Sequence, residues 1–179
     1  MVKKYIIPLI SFCILIYASC SKDESSNQIP KIHDSIEIDI DEDGTADYTI
    51  KYSGIDIEPL SPSGGIYGIG GRLQPYGKNE ILRHKEEEYL FLRDLEEIEE
   101  NVAEPLKWRN TFSSTIVTIA TINAEGEWPN KWEINSATEH STYFLGLKLV
   151  TDFEIQLAWV EIDINTTNGL ISIVDKGIL

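Results

Sequence analysis

The chain predicts an all-β protein: an antiparallel β-sandwich or partly open barrel with at most one short helix. Two observations carry this. Apolar and polar residues alternate with a period of two along much of the sequence, which gives each segment one dry face and one wet face. The alternating runs are rich in Ile, Val, Thr and aromatics, and Gly, Asn and Asp bound them. Those are strand formers flanked by turn formers.

Residues 1–19 read as a secretory signal. Lys3 and Lys4 precede an apolar run from Tyr5 to Ala18, and the small pair Ala18-Ser19 stands before Cys20. A basic start, a short apolar run and small residues at a cut site are the layout of a cleaved signal. The run is shorter than the roughly 20 residues that span a bilayer, and Pro8 weakens it as a helix. With cysteine directly after the cut, the signal resembles that of a bacterial lipoprotein, although Tyr17 stands where that pattern prefers Leu. The resemblance implies that Cys20 is acylated and that a lipid anchor makes the membrane a partner.

Residues 20–34 read as a flexible acidic tether. Lys22, Asp23 and Glu24 resemble the surface-export signal of Bacteroidota lipoproteins. This implies an outer-membrane lipoprotein exposed on the cell surface, with the periplasmic face as the alternative.

Residues 35–179 make one β-rich domain, long enough to bury a proper core. The 2 cysteines are Cys13 and Cys20, so the domain has none to pair. An exported domain without disulfides must draw its stability from burial and from any metal it holds. With 30 acidic against 15 basic residues, the chain carries a formal charge of -15. Phosphate binding needs a basic face, so nucleic acid is excluded as a partner class. An acidic surface suits solubility and cations.

The elements follow in order. Residues 36–40 and 48–52 alternate as strands on either side of an acidic loop. Residues 61–77 carry Pro62, Gly64, Gly65, Gly68, Gly70, Gly71, Pro75 and Gly77 and predict a loop or tight turns. Within them Ile66, Tyr67 and Ile69 are expected to reach the sheet as a short strand. No Gly-Lys-Ser/Thr follows, so this is no phosphate cradle. Residues 88–93 predict a strand, then an irregular or one-turn helical segment that ends before Pro105. Residues 115–122, 143–150, 153–164 and 170–174 predict strands. The last three form an antiparallel meander, joined by Thr151-Asp152 and by a link at 165–169 that ends in Asn168-Gly169. Trp159, inside a long apolar run, is expected in the core.

One constellation carries chemistry. Along residues 39–47, Asp39, Asp41, Asp43 and Asp47 fall at positions 1, 3, 5 and 9, and Gly44 falls at 6. This is calcium-loop spacing: alternate side chains face one side, glycine turns the chain, and the Thr45 carbonyl at position 7 can face the ion. Oxygen donors without nearby His or Cys favour calcium over zinc or copper. Two carboxylates about 5 Å apart repel by roughly 3 kcal/mol at an effective dielectric of 20, so a compact empty loop would be costly. The competing reading is a solvated acidic turn in a hairpin. Ile50 replaces the bidentate glutamate at position 12 and strand-like runs flank the loop, so it departs from an EF-hand. It looks more like the DxDxDG loops set between strands in integrin-type repeats. Weak affinity, about 10⁻⁴ to 10⁻³ M, is expected.

Other candidates are weaker. Trp108, Trp128 and Trp132 could form a ligand platform, but the preferred reading is that they fill the core or cover a sheet end. His33, His84 and His140 have no metal-ligand spacing and are expected at the surface. Glu139-His140-Ser141 is no basis for a triad, since sequence adjacency says nothing about geometry.

The layout as a whole resembles small Bacteroidota surface lipoproteins with a DxDxDG calcium-type loop. The matching parts are Cys20, the acidic tether and residues 38–48. Two strand patterns match as well, Tyr143-Phe144-Leu145-Gly146-Leu147 and Ala158-Trp159-Val160-Glu161-Ile162. The chain has Leu157-Ala158 where the pattern has Tyr-Gly. The resemblance implies a β-rich secreted domain and brings no known activity with it. The expected function is therefore a calcium-stabilised binding or adhesion module, not an enzyme, taking a glycan or an envelope protein. The alternative is a secreted polysaccharide hydrolase using paired carboxylates.

Overall fold

The computed structural model describes residues 30–61, 64–84, 91–92, 95–110, 114–122, 128–135 and 142–179. The signal, Cys20, most of the tether, residues 88–90 and 93 of the strand expected at 88–93, and His140 lie outside the described residues.

Alternation builds two antiparallel sheets, packed as a β-sandwich. The first holds β1 (Ile36–Ile38), β2 (Tyr48–Ser61), β3 (Gly64–Pro75), β7 (Ser114–Ile122) and β8 (Glu133–Ile134), in the order β1-β2-β3-β7-β8. The second holds β4 (Glu80–His84), β5 (Phe91–Leu92), β6 (Leu106–Arg109), β9 (Tyr143–Val150), β10 (Ile155–Asn165) and β11 (Leu170–Ile178). Its order is β11-β10-β9-β4-β6, and β5 also pairs with β9. Among the described residues the helical content is one 3₁₀ turn, Leu95–Glu97.

The main core lies between the sheets. On β10, Ala158, Val160, Ile162 and Ile164 point inward and Asp163 points out, as a period of two requires. They meet Tyr48, Ile50, Tyr52, Leu73 and Val117 from the first sheet. Each fully buried aliphatic side chain contributes about 1.5–3 kcal/mol. The meander of β9, β10 and β11 forms as its sequence predicts, with a bulge between Glu161 and Ile162.

A second apolar cluster covers the opposite face of the second sheet. Leu82, Leu92 and Ile98 are its buried members, and Leu95, Val102, Leu106, Trp108, Phe144, Leu157 and Trp159 pack against them. β9 is consequently dry on both faces. Lys148, on its outer face, is buried and reaches Glu80 Oε2 at 3.6 Å, while its ammonium stands 4.4 Å from the centre of the Trp108 ring. Trp159 is half-buried in this second cluster rather than between the sheets, its ring 6.1 Å from that of Phe144.

Five elements differ from expectation, and two of them, β4 and β8, stand where no strand was expected. The glycine-rich stretch is a twelve-residue central strand, β3, between β2 and β7. At Gly71 a side chain would come within 3.0 Å of Ile171 Cδ1 and 3.1 Å of the Tyr52 ring. The glycine there lets the sheets approach, which turn statistics do not register. β2 continues from residue 52 to Ser61, through a stretch whose alternation Gly54 and Pro59 interrupt. Strand β6 follows Pro105 where no strand was expected, and it closes the edge beyond β4.

Two tyrosines of β2 tie the sheets together. The Tyr48 hydroxyl sits between β4 and β9: it donates toward Lys148 O (2.9 Å) and Glu80 O (3.0 Å) and accepts from Lys148 N–H at 3.1 Å. The Tyr52 hydroxyl donates to Gly169 O at 2.8 Å and accepts from Ile171 N–H at 2.9 Å. Burial raises both phenols above the ordinary tyrosine range, so both are neutral donors.

Candidate functional site

The acidic loop joins β1 to β2 at one end of the sandwich. The Asp47 N–H donates to Ile38 O at 2.8 Å and closes the loop at its base. Glu42 (φ 62) and Gly44 (φ 88) take the left-handed backbone that winds the chain tightly.

Three of the predicted ligands converge. Asp39, Asp41 and Asp43 each bring one carboxylate oxygen within 4.8 Å of the others. Oxygens on opposite sides of a calcium ion are about 5 Å apart, twice the 2.3–2.6 Å ligand distance. The loop's own amides orient these carboxylates. Gly44 N–H donates to Asp39 Oδ2 (2.8 Å), Asp43 N–H to Asp41 Oδ1 (3.2 Å) and Thr45 N–H to Asp43 Oδ1 (2.7 Å). Asp39 Oδ1 is buried and has no hydrogen-bond partner. A carboxylate oxygen cut off from water and donors is costly unless a cation meets it. The cluster could hold a metal ion, and this orphaned oxygen fits one.

Lys176 of β11 approaches without filling that role. Its ammonium donates to the main-chain oxygen of Asp39 and lies 3.4 Å from Glu42 Oε1. It meets the rim of the loop, not the three clustered carboxylates.

The other two predicted ligands are placed differently. Asp47 lies outside the group of three. Its Oδ2 accepts the Ile40 N–H at 2.8 Å, and its Oδ1 faces the Asn79 amide at 3.4 Å. Burial raises the Asp47 carboxyl above the usual range, and the charges of Asp41 and Asp39 add to this. The Ile40 and Asn79 hydrogen bonds pull the other way. Thr45 is exposed beside Gly44. Sequence reading missed Asn79, which anchors the loop to the fold. Its amide donates to Asp47 O (3.2 Å) and its Oδ1 accepts from Val150 N–H (2.9 Å). A polar residue just before a strand carries no such signal in sequence.

The tryptophans do not share one platform. Trp108 lies on the outer face of the second sheet, its indole N–H on Glu99 O at 2.9 Å. Trp128 and Trp132 both lie at the opposite end of the sandwich from the acidic loop. There a cleft of about 680 Å³ opens between residues 30–33, residues 128–132 and the β10–β11 turn. Trp132 is buried and forms part of its floor with Ile119, and Trp128 is half-buried beside it. The turn is fitted to the ring: at Gly169 (φ 74) any side chain would overlap the Trp132 indole. Trp132 N–H donates to Thr166 O at 2.7 Å.

His33 also belongs to this cleft rather than to open surface. Its Nε2 is 2.8 Å from Asn168 O, and its ring meets Tyr52 edge-on at 5.1 Å. His84 lines a smaller hollow of about 280 Å³ with Glu97, Glu99 and Glu104.

No protein-family model, curated protein or solved structure matches this chain.

Proposed function

We propose that this chain is an envelope-anchored lipoprotein, held by Cys20 and displayed at the cell surface, whose β-sandwich is stabilised by calcium. It works as a binding or adhesion module for a glycan or protein partner. The observation that carries the calcium reading is Asp39 Oδ1, buried and unpartnered beside two further carboxylates. All three donors are hard oxygens, which match calcium better than a soft transition metal. Magnesium fits less well, because it needs near-ideal octahedral geometry and keeps its waters.

The binding reading rests on the tryptophan cleft. Its size falls within the range of small-molecule sites. Among the described residues no Asp or Glu lines it. The hydrolase alternative is supported by the smaller hollow, where His84 stands with Glu97, Glu99 and Glu104.

Three assays test the proposal. Calorimetry on the mature chain should show calcium binding that Asp41→Ala/Asp43→Ala abolishes. Labelled palmitate should enter the wild type but not Cys20→Ala. Polysaccharide cleavage that Glu97→Gln or Glu104→Gln removes would replace the binding reading by the hydrolase one.

A further inference from the structure

We infer that the cleft beside Trp128 is a saccharide site, and that it takes an acidic pyranose, a uronic-acid sugar, rather than an amino sugar. The inference deepens the binding-module reading and rests on it. Three features of the cleft lead to this ligand class.

The first is its shape and wall. A half-buried indole edges a concave space of about 680 Å³. Pyranose rings present an apolar C–H face that packs on an aromatic ring, and concave sites combine such apolar contact with a few fixed polar groups.

The second is the polar rim. Asn130, Thr167 and Asn168 line the cleft with amide and hydroxyl groups. These both donate and accept, as vicinal sugar hydroxyls require. The turn that carries Thr167 and Asn168 is held rigidly. Thr167 N–H donates to Asn165 Oδ1 (3.0 Å), Leu170 N–H to Asn168 Oδ1 (2.9 Å) and Gly169 N–H to Asn165 O (2.7 Å). The site is thus preorganised, which lowers the entropy lost on binding.

The third is charge. The chain has a formal charge of -15. Yet among the described residues the ionisable groups lining this cleft are Lys31 and His33, and none is a carboxylate. Exposed Lys31 can meet a sugar carboxylate with a charge-assisted hydrogen bond. A cationic amino sugar would instead face Lys31 with a like charge.

The test is calorimetry of the mature chain with oligogalacturonate, a neutral cello-oligosaccharide and a chitosan oligosaccharide, at low and high salt. Oligogalacturonate should bind, more weakly at high salt, and chitosan should not. Lys31→Gln should weaken the acidic ligand about tenfold, the loss of one charge-assisted contact, and Lys31→Glu should weaken it further by adding a like charge. Both should leave the melting temperature unchanged, because Lys31 is exposed. Trp128→Ala should remove binding. Because Trp128 also packs on the core, exposed Asn130→Asp supplies a second variant that weakens binding of the acidic sugar without touching the core. Equal binding of neutral and acidic sugars, or loss of selectivity only through unfolding, overturns the charge assignment. Binding of an acidic peptide but of no saccharide overturns the ligand class. If no saccharide binds while calcium still raises the melting temperature, the sugar site is wrong and the calcium-stabilised domain stands.

Discussion

The two ends of the sandwich are built on opposite principles. At one end, residues 39–47 gather three carboxylates, one of which has a buried, unpartnered oxygen. At the other, Trp128, Trp132, His33 and Asn168 frame a cleft whose described lining has no carboxylate. β11 runs from one to the other, with Leu170 at the cleft and Lys176 at the loop. Each end is tied to the core by a β2 tyrosine, Tyr48 beside the loop and Tyr52 beside the cleft. The difference teaches that charge and packing are placed apart. The loop concentrates charge on a tightly wound backbone with open space around it, and the cleft concentrates packing on a turn fitted to an indole.

The sharpest contrast is between two glycines with positive φ. At Gly169 an added side chain overlaps Trp132, whereas at Gly44 nothing lies within 4 Å. Gly169→Ala should therefore destabilise by about 2–5 kcal/mol, from overpacking plus a left-handed backbone. Gly44→Ala should cost about 1–2 kcal/mol, the backbone part alone. Denaturant unfolding measures both. Equal losses would mean that the turn is not fitted to the indole.

The tyrosines give the next effect. Tyr48→Phe leaves a buried amide and two carbonyls at the β4–β9 junction without the hydroxyl, and should cost about 1–3 kcal/mol. Tyr52→Phe strips one amide and one carbonyl and should cost less. The order of their melting temperatures checks this. A neutral Tyr48→Phe would show that the hydroxyl is not part of what joins the sheets.

A smaller effect concerns pH. Because burial raises the folded-state Asp47 carboxyl above its unfolded value, the native state holds that proton more tightly. Its contribution to stability is present at low pH and is lost as pH rises from the usual aspartate range through the raised value. Carboxyl carbon NMR should place the Asp47 midpoint above that of an ordinary aspartate. Calcium should move it down, since a nearby cation favours the charged form. A midpoint at or below the ordinary value contradicts the burial of this group.

Sequence made the sandwich legible because alternation is a local signal. β9 is read to the residue, and the meander follows from Asn168-Gly169 and the Thr151 turn. The loop was legible too, since the spacing of Asp39, Asp41 and Asp43 is itself the geometry. β3 was legible only around Ile66, Tyr67 and Ile69, because Gly70 and Gly71 look like turn formers when the side chains packed at Gly71, Tyr52 and Ile171, lie far away in sequence. The second cluster was hidden for a similar reason. Trp159 follows the apolar run of β10, and only the fold reveals that its face of the sheet is covered by Leu92, Ile98 and Trp108. The partition of the tryptophans, with Trp128 and Trp132 at one cleft and Trp108 elsewhere, likewise depends on topology.

Thermal unfolding of the protein with and without calcium tests the central claim most directly. Calcium tenfold above its dissociation constant stabilises a native-only site by about 1.4 kcal/mol. The melting temperature should therefore rise with millimolar calcium and fall again with chelator. Asp41→Ala/Asp43→Ala should erase that response and melt higher than the wild type in chelator, because like charges are removed. A melting curve that ignores both calcium and chelator would show that residues 39–47 form only an acidic turn.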